Sequence, residues 1–137
     1  MRNARVLIFL LSCQIAIMSC GKKGPAVSVE KPMAQQTAIE PAAGAQVTFV
    51  ELGSVNCIPC RMMQPVMKEI ETAYPGRVKV VFIDVMTEKG RPYAQQFGIR
   101  AIPTQVFLDS TGKELARHIG FYPRDSIVAL LADKGVK

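Results

Sequence analysis

The sequence predicts an α/β domain with a mixed central sheet and helices on both faces, in the element order βαβαββα. Short apolar runs typical of strands alternate with runs whose apolar positions recur every three or four residues, as in helices. A turn signal, Asp109-Ser110-Thr111-Gly112, joins two of the strands directly as a hairpin. With 137 residues, of which 49% are hydrophobic, the chain has the length and composition of one domain with its own core.

The first half of the domain is predicted to hold two strands around one long helix. The strands cover residues 47–52 and 78–83, and the second is almost entirely apolar, which predicts that it is covered on both faces. The helix is predicted from about Cys57 to Ala73, and Tyr74-Pro75-Gly76 ends it. Its apolar residues recur at helical spacing: Met63, Val66, Met67, Ile70 and Tyr74.

The second half is predicted to hold a short helix, a hairpin and a final helix. The short helix spans residues 92–97 and ends at Gly98. The hairpin strands cover Thr104 to Leu108 and Glu114 to Ile119, and the last helix runs from about residue 124 to residue 132. A strand–helix–strand unit followed by a hairpin needs both parallel and antiparallel neighbours, so the sheet is predicted to be mixed.

Residues 1–19 have the pattern of a secretory signal peptide. Two arginines precede an apolar run over residues 6–18, which is shorter than the about 20 residues needed to cross a bilayer. The run ends in Ile17-Met18-Ser19-Cys20, which resembles the lipobox of bacterial lipoproteins and predicts lipidation of Cys20. Cys13 ends a similar pattern and is the alternative, but it would leave only about half of the usual apolar run.

Residues 20–45 are predicted to be a lipidated N-terminus and flexible tether, and residues 46–137 the folded domain. The tether is rich in Gly, Pro, Ala and Gln and has little apolar periodicity. The net charge of +6 includes no basic run longer than Lys22-Lys23, which argues against nucleic-acid binding. These two lysines suit either anionic lipid headgroups or a solvated linker.

Cys57 and Cys60 stand three residues apart at the predicted start of the first long helix. They lie on one helical face, close enough to form a disulfide. Cys57 lies at the helix terminus, where unpaired N–H groups and the helix dipole stabilise a thiolate. We therefore predict a redox pair in which Cys57 attacks and Cys60, one turn deeper, resolves. Pro59 suits the first turn because its missing N–H costs little there.

Two structural explanations of the pair are less well supported. A closed zinc site commonly needs four Cys or His ligands, but apart from the predicted leader and the lipidated Cys20 the chain offers this pair and one histidine, His118. A permanent disulfide staple over so short a loop would constrain the unfolded chain only weakly. Redox chemistry is therefore the favoured role.

The segment around the pair resembles the active site of the thioredoxin family. The motifs that carry this resemblance are Cys57-Ile58-Pro59-Cys60, Glu51 six positions before it, Pro65 five positions after it, Ile102-Pro103-Thr104, and Gly120 after the last strand. They span roughly residues 46–134. The resemblance implies a minimal thioredoxin fold, without the usual first strand and helix of that family.

The resemblance also implies roles for several residues of the site. Glu51 would be a buried carboxylate that accepts the proton of Cys60, instead of an edge residue facing water. Pro103 would follow a cis peptide bond beside the cysteines, instead of merely starting a strand. The implied substrate-binding residues are Ile102, Pro103 and Thr104, together with Asn56, Ile58 and Pro59 beside the cysteines.

Three positions depart from the family pattern. Asn56 stands where the family has tryptophan, and the dipeptide between the cysteines is Ile58-Pro59 in place of Gly-Pro. Phe82 replaces the lysine that usually faces the buried acid. The loss of that positive charge predicts that Glu51 is harder to ionise.

Together these features predict a thiol–disulfide oxidoreductase, with reduction favoured over oxidation, lipid-anchored on the periplasmic side of a bacterial cell envelope. The expected partners are proteins with disulfides or thiols and a membrane thiol-electron transporter that re-reduces the pair. No nucleic acid, cofactor or metal is expected, and we expect a monomer. The alternatives are a disulfide oxidase or isomerase of the same fold, a copper-handling module that uses the pair with a methionine or His118, and a redox-silent partner-binding domain.

Overall fold

The structure, a computed structural model, describes residues 39–40 and 43–136. The predicted signal peptide, Cys13, Cys20 and most of the tether lie outside the described residues, so these assignments stay predictions. Among the residues described, no helix combines the length and apolar character needed to span a bilayer. The elements are β1 (Val47–Gly53), α1 (Ile58–Ala73), β2 (Val78–Asp84), α2 (Arg91–Gln96), β3 (Thr104–Asp109), β4 (Glu114–Ile119) and α3 (Arg124–Asp133).

The predicted order βαβαββα is confirmed, and each boundary lies within about a residue of its prediction. α1 begins at Ile58 because Cys57 is its N-cap, with extended backbone angles (φ −95°, ψ 124°). At the other end the N–H of Tyr74 donates to the carbonyl of Ile70 at 3.1 Å. Gly76 then turns the chain with φ +70°, a conformation that glycine adopts without steric cost.

The strands form one mixed sheet in the order β2-β1-β3-β4. β1 pairs in parallel with β2 and antiparallel with β3, and β3 pairs antiparallel with β4. The C-terminal ends of β1, β2 and β4 and the N-terminal end of β3 therefore lie along one edge, called here the upper edge of the sheet. The loops at residues 54–57, 85–90, 101–103 and 120–123 all leave from this edge.

β2 packs apolar side chains on both faces of the sheet, as its apolar run predicts: Val80 and Phe82 on one face, and Val81 and Ile83 on the other. Most of its residues are half-buried, whereas every residue of β1 is buried. β2 stands at the end of the strand order, and β1 stands between two neighbours. An apolar run indicates which faces are covered, but the lateral position of a strand depends on partners that are distant in the chain.

The alternation of side chains along β1 divides the core between the two faces of the sheet. Phe49 packs with α1 and α3 on one face, and Leu52 packs with the α2 region on the other. On the first face the rings of Phe49 and Phe107 stack with centroids 4.8 Å apart. The period of two places Glu51 and Gly53 on this same face, beneath the start of α1.

Candidate active site

The loop between β1 and α1 is fixed by hydrogen bonds on both sides of the first cysteine. The N–H of Cys57 donates to the Ser54 carbonyl at 3.1 Å, and the N–H of Asn56 approaches Ser54 Oγ at 3.3 Å. Asp84, at the end of β2, accepts from the N–H of Val55 at 3.2 Å and from the N–H of Met86 at 2.9 Å. These contacts hold Cys57 at the N-terminus of α1, as predicted.

Cys57 and Cys60 are joined by a disulfide, with their Cα atoms 5.2 Å apart. Cys57 is half-buried, whereas Cys60 is completely buried. The Sγ of Cys57 also accepts from the N–H of Cys60 at 3.4 Å, which is the contact expected of an N-cap. The geometry therefore presents one sulfur to solvent and keeps the other beneath it.

Gly53 lies directly beneath the side chain of Cys60. A Cβ atom at residue 53 would lie 3.1 Å from Cys60 Sγ, 3.2 Å from its Cβ and 3.3 Å from Cε2 of Phe82. These distances are tighter than ordinary van der Waals contact. The absence of a side chain at Gly53 lets α1 approach the sheet closely at the cysteine pair.

Glu51 lies on the same face of β1, two residues before Gly53, and has no exposed surface. Its register partners are Phe82 on β2 and Gln105 on β3. Neither carboxyl oxygen has a hydrogen-bond partner among the described residues. Burial raises the pKa of Glu51 to about 7, and the nearby side chain of Gln105 offsets a smaller part of the shift.

The water-facing edge position considered for Glu51 is therefore wrong, because the residue lies in an inner strand. The predicted placement of Phe82 opposite the carboxyl is confirmed by the strand register. An aromatic ring offers no positive charge to a carboxylate, which is consistent with the raised pKa. At neutral pH Glu51 is thus close to the midpoint of its titration, where it can both accept and release a proton.

The peptide bond between Ile102 and Pro103 is cis, as predicted. Because Leu52 pairs with Thr104, the register places Pro103 beside Gly53 at the upper edge. Thr104 is buried, and its Oγ1 donates to the Ala101 carbonyl at 2.7 Å. The N–H of Gly120 donates to the Pro103 carbonyl at 2.8 Å. The loop before β3 is thus held from both sides.

Exposed apolar side chains surround this edge of the sheet. The predicted substrate-binding residues Asn56, Ile58 and Pro59 are exposed, and Ile102 is half-buried. Among the described residues, the exposed large hydrophobic side chains all lie in or beside the loops of the upper edge or in the first two turns of α1: Val55, Ile58, Met62, Met86, Ile119 and Phe121. We call these six residues the apolar rim.

Metal-ligating side chains do not cluster in the part of the chain that the structure describes. Within it, no three His, Cys, Asp or Glu side chains converge in a way that could hold an ion. The ring of His118 stacks on that of Tyr122, with centroids 4.0 Å apart, and its Nε2 lies 3.3 Å from the Phe121 carbonyl. Met63 is buried, and its sulfur accepts from the N–H of Tyr122 at 3.2 Å.

Comparison with known proteins identifies the family. Residues 33–135 match the family model described as a thioredoxin-like domain, which is most of the chain. The chain belongs to the thioredoxin family. The minimal thioredoxin fold predicted above is confirmed by the topology of the sheet and its three helices.

Individual relatives agree with this assignment. Thioredoxin of Alicyclobacillus acidocaldarius is 33% identical over 90 residues, which cover 66% of this chain and 83% of that protein. The thiol:disulfide interchange protein TxlA homolog of Synechocystis is 31% identical over 65% of this chain and 52% of its own length. A solved structure described as a malarial protein superposes with a TM-score of 0.59 over 65% of this chain and 97% of its own, at 22% identity, which supports the fold alone.

This thioredoxin-family chain is a thiol–disulfide oxidoreductase, because it combines the family's fold with a cysteine pair that forms a disulfide. The structure brings Cys57, Cys60 and Glu51 to one face of the sheet and the residues around Pro103 to the same edge. Cys20 lies outside the described residues.

Sequence reasoning missed two parts of this site. Gln105 interrupts an apolar strand just as Glu51 does, and that interruption was the available signal. No sequence pattern indicated the role of Gly53. A glycine needed for close packing against a cysteine looks the same in the sequence as a glycine in a turn, and only the position of α1 on the sheet separates the two.

Proposed function

We propose that this chain is a protein disulfide reductase, lipid-anchored through Cys20 on the periplasmic side of a bacterial envelope. The observation that carries the proposal is the layered site: a half-buried Cys57 above a buried Cys60, with the buried carboxyl of Glu51 on the same face. This order matches the division of labour between an attacking thiol, a resolving thiol and a base.

In the first step the thiolate of Cys57 attacks one sulfur of a substrate disulfide. A bond forms between Cys57 and that sulfur, the substrate S–S bond breaks, and the released substrate thiolate takes a proton from water. The N-terminus of α1 favours the attacking thiolate, because its free N–H groups and dipole stabilise an anion.

In the second step Glu51 takes the proton of Cys60, directly or through one water. The Cys60 thiolate then attacks Cys57, the intramolecular disulfide forms, and the second substrate thiolate leaves and is protonated. The substrate gains two electrons, which the cysteine pair loses. The two substrate thiolates take two protons from water, and the single proton of Cys60 passes to Glu51. A raised pKa makes Glu51 a stronger base than an exposed carboxylate, which suits the deprotonation of a buried thiol.

Proteins are the proposed substrates, because the apolar rim surrounds the pair with surface suited to an extended chain. The backbone polar groups of Ile102 take part in none of the hydrogen bonds found among residues 39–40 and 43–136. They are therefore free to pair with the backbone of a substrate segment, as an added strand does. The rim side chains would then contact alternate side chains of that segment.

The site of action and the electron source complete the proposal. The leader pattern and the candidate lipobox support an extracytoplasmic location, and a relative bears the name thiol:disulfide interchange protein. Cytosolic reductants do not reach that compartment, so the oxidised pair requires another dithiol to re-reduce it. A thiol-electron transporter in the membrane is the class of partner that would supply these electrons.

Insulin reduction and the redox potential of the pair test the function together. We expect the wild-type chain to accelerate reduction of insulin disulfides by a small dithiol, and the Cys57→Ser variant to be inactive. We expect a potential near that of thioredoxin, about −270 mV. A potential near about −120 mV, the range of strong oxidants, would reverse the proposed direction.

The anchor has a separate test in a bacterial host fed labelled palmitate. We expect label in the wild-type chain and in the Cys13→Ala variant, and none in the Cys20→Ala variant. Label that survives Cys20→Ala and disappears in Cys13→Ala would move the lipid to the other cysteine. An unlabelled wild-type chain would contradict the lipoprotein assignment.

A further inference from the structure

In the part of the chain that the structure describes, three buried polar atoms without a hydrogen-bond partner lie at one place in the sheet. They are both carboxyl oxygens of Glu51 and the amide oxygen of Gln105, and neither side chain has any exposed surface. Glu51 and Gln105 are register partners on β1 and β3, so their side chains share one face at the distance of directly opposed residues. Buried polar groups usually have partners, so this grouping requires an explanation.

The amide of Gln105 has a defined orientation. Its Nε2 donates to the Gly120 carbonyl at 3.0 Å, and a carbonyl oxygen can only accept, so the nitrogen must face Gly120. One N–H and the amide oxygen remain available. Because Gln105 stands directly opposite Glu51 on the neighbouring strand and on the same face of the sheet, these remaining groups face the acid.

We propose that Gln105 is a positioning residue that bonds the Glu51 carboxyl in both of its protonation states. When Glu51 is neutral, its O–H donates to the free amide oxygen of Gln105. When Glu51 is ionised, the second N–H of Gln105 donates to the carboxylate. Each state satisfies atoms that are otherwise unpartnered. This role rests on the proposed function of Glu51 as the base for Cys60.

The same amide connects the base to the substrate-binding loop. Gly120 receives the Gln105 hydrogen bond on its carbonyl, and its own N–H donates to the Pro103 carbonyl at 2.8 Å. A continuous chain of contacts thus runs from Glu51 through Gln105 and Gly120 to Pro103. Gln105 therefore holds the carboxyl at a fixed position relative to the loop that receives the substrate.

Other titratable groups on this face have different partners. α1 contributes Cys57 and Cys60, which are bonded to each other, and α3 packs onto the face with apolar side chains. At the end of β2, Asp84 accepts two backbone N–H groups. On β4, His118 pairs in register with Gln105 and stacks on a tyrosine ring. Gln105 is thus the polar side chain placed to bond Glu51.

The test follows the carboxyl carbon of Glu51 by NMR against pH in the oxidised full chain, solubilised in detergent. Gln105→Met removes the amide while keeping the length of the side chain. We expect the pKa of Glu51 to rise by about one unit in this variant, because the hydrogen bond lost by the charged carboxylate is stronger than the one lost by the neutral acid. Thr48→Val is the matched control, since Thr48 Oγ1 is also buried and unpartnered but lies on the opposite face of β1.

A second measurement needs no change at Gln105. In the wild-type chain the side-chain NH₂ resonances of Gln105 are expected to shift with the same midpoint as the Glu51 carboxyl. In Glu51→Gln they are expected to stay constant over the same range. A Glu51 pKa that is equal in the wild type and in Gln105→Met would overturn the proposal. So would side-chain NH₂ chemical shifts of wild-type Gln105 that stay constant while Glu51 titrates.

Enzymatic assay separates this proposal from the proposed function. We expect Gln105→Met to move the pH midpoint of insulin reduction upward in parallel with the Glu51 pKa, through kcat more than through KM. If the wild-type chain reduces no insulin, the reductase proposal fails while the NMR result still decides the role of Gln105. If the wild type is active and the NMR shift is absent, the role of Gln105 alone fails.

Discussion

At the scale of single residues, Glu51 combines complete burial with carboxyl oxygens that make no direct hydrogen bond within residues 39–40 and 43–136. Burial disfavours the charged form, so its pKa stands at about 7 against an ordinary value of 4.5. Titratable groups shifted in this way cluster at functional sites. Because Glu51 lies on the same face of the sheet as Cys60, its raised pKa suits it to accept the proton of that thiol.

The raised pKa of Glu51 predicts how stability depends on pH. Between pH 4.5 and about 7 the folded state holds a proton that the unfolded state has released, so stability falls as pH rises through this window. The loss should reach about 3 kcal/mol above pH 7 and be absent below pH 4.5. Urea unfolding of the oxidised wild type and of Glu51→Gln across this range measures it.

The Glu51→Gln variant should lack this slope and should be more stable than the wild type at pH 8, because it carries no charge to bury. At pH 4 the two chains should differ little. Equal slopes between pH 4.5 and 7 in both chains would show that Glu51 titrates normally and would remove its role as a base.

The sequence could indicate Glu51 but not its surroundings. A glutamate within an apolar strand is visible by inspection, and the spacing to Cys57 supported its role. Gln105 interrupts β3 in the same way, yet its position opposite Glu51 depends on the register between strands more than fifty residues apart. Tertiary packing determines that register, and the register cannot be read from a single sequence.

At the scale of elements, the approach of α1 to β1 depends on Gly53. The Cβ of an alanine there would lie 3.1 Å from Cys60 Sγ and 3.3 Å from the Phe82 ring. The atoms involved belong to the buried half of the redox pair and to its aromatic neighbour. A side chain at this position would therefore push the first turn of the helix away from the sheet.

We predict that Gly53→Ala lowers stability by about 1–3 kcal/mol and changes the redox potential of the cysteine pair. Gly76→Ala is the comparison, because its φ of +70° strains any side chain there, while no atom of the cysteine pair lies near it. It should lower stability by about 1–2 kcal/mol and leave the potential unchanged. Urea unfolding and equilibration with a glutathione buffer measure the two effects, and equal potentials in the wild type and Gly53→Ala would contradict the prediction.

The elements themselves were largely predictable, because their signals are local. Helical spacing fixed α1, and the turn at residues 109–112 fixed the β3–β4 hairpin. The lateral position of β2 was not predictable from its apolar run. Strand order depends on contacts between distant segments, and β2 lies at an edge of the described sheet where its residues are half-exposed.

At the scale of the whole molecule, apolar side chains serve two separate purposes. The cluster between the sheet and the helices α1 and α3 holds the fold together, with Phe107 stacked on Phe49 at its centre. The apolar rim lies exposed around the cysteine pair. The core cluster and the apolar rim contain the same kinds of apolar residue. They differ in burial, which the composition of the chain does not reveal.

A pair of phenylalanine variants separates these purposes. Phe107→Ala should cost about 3–5 kcal/mol of unfolding free energy, because it leaves a cavity in the core. Phe121→Ala, in the rim, should change stability by about 1 kcal/mol or less and raise the KM for insulin several-fold. Thermal unfolding and reductase kinetics measure both. An unchanged KM in Phe121→Ala would argue against the rim as the substrate surface.

The central claim is that Cys57 attacks the substrate and Cys60 resolves the resulting mixed disulfide. The most direct measurement is mass spectrometry of the products after reduced Cys60→Ala and Cys57→Ala chains are each mixed with insulin. We predict that Cys60→Ala accumulates a disulfide between Cys57 and an insulin cysteine, and that Cys57→Ala accumulates little. Equal accumulation through either cysteine, or accumulation through Cys60 alone, would contradict the account.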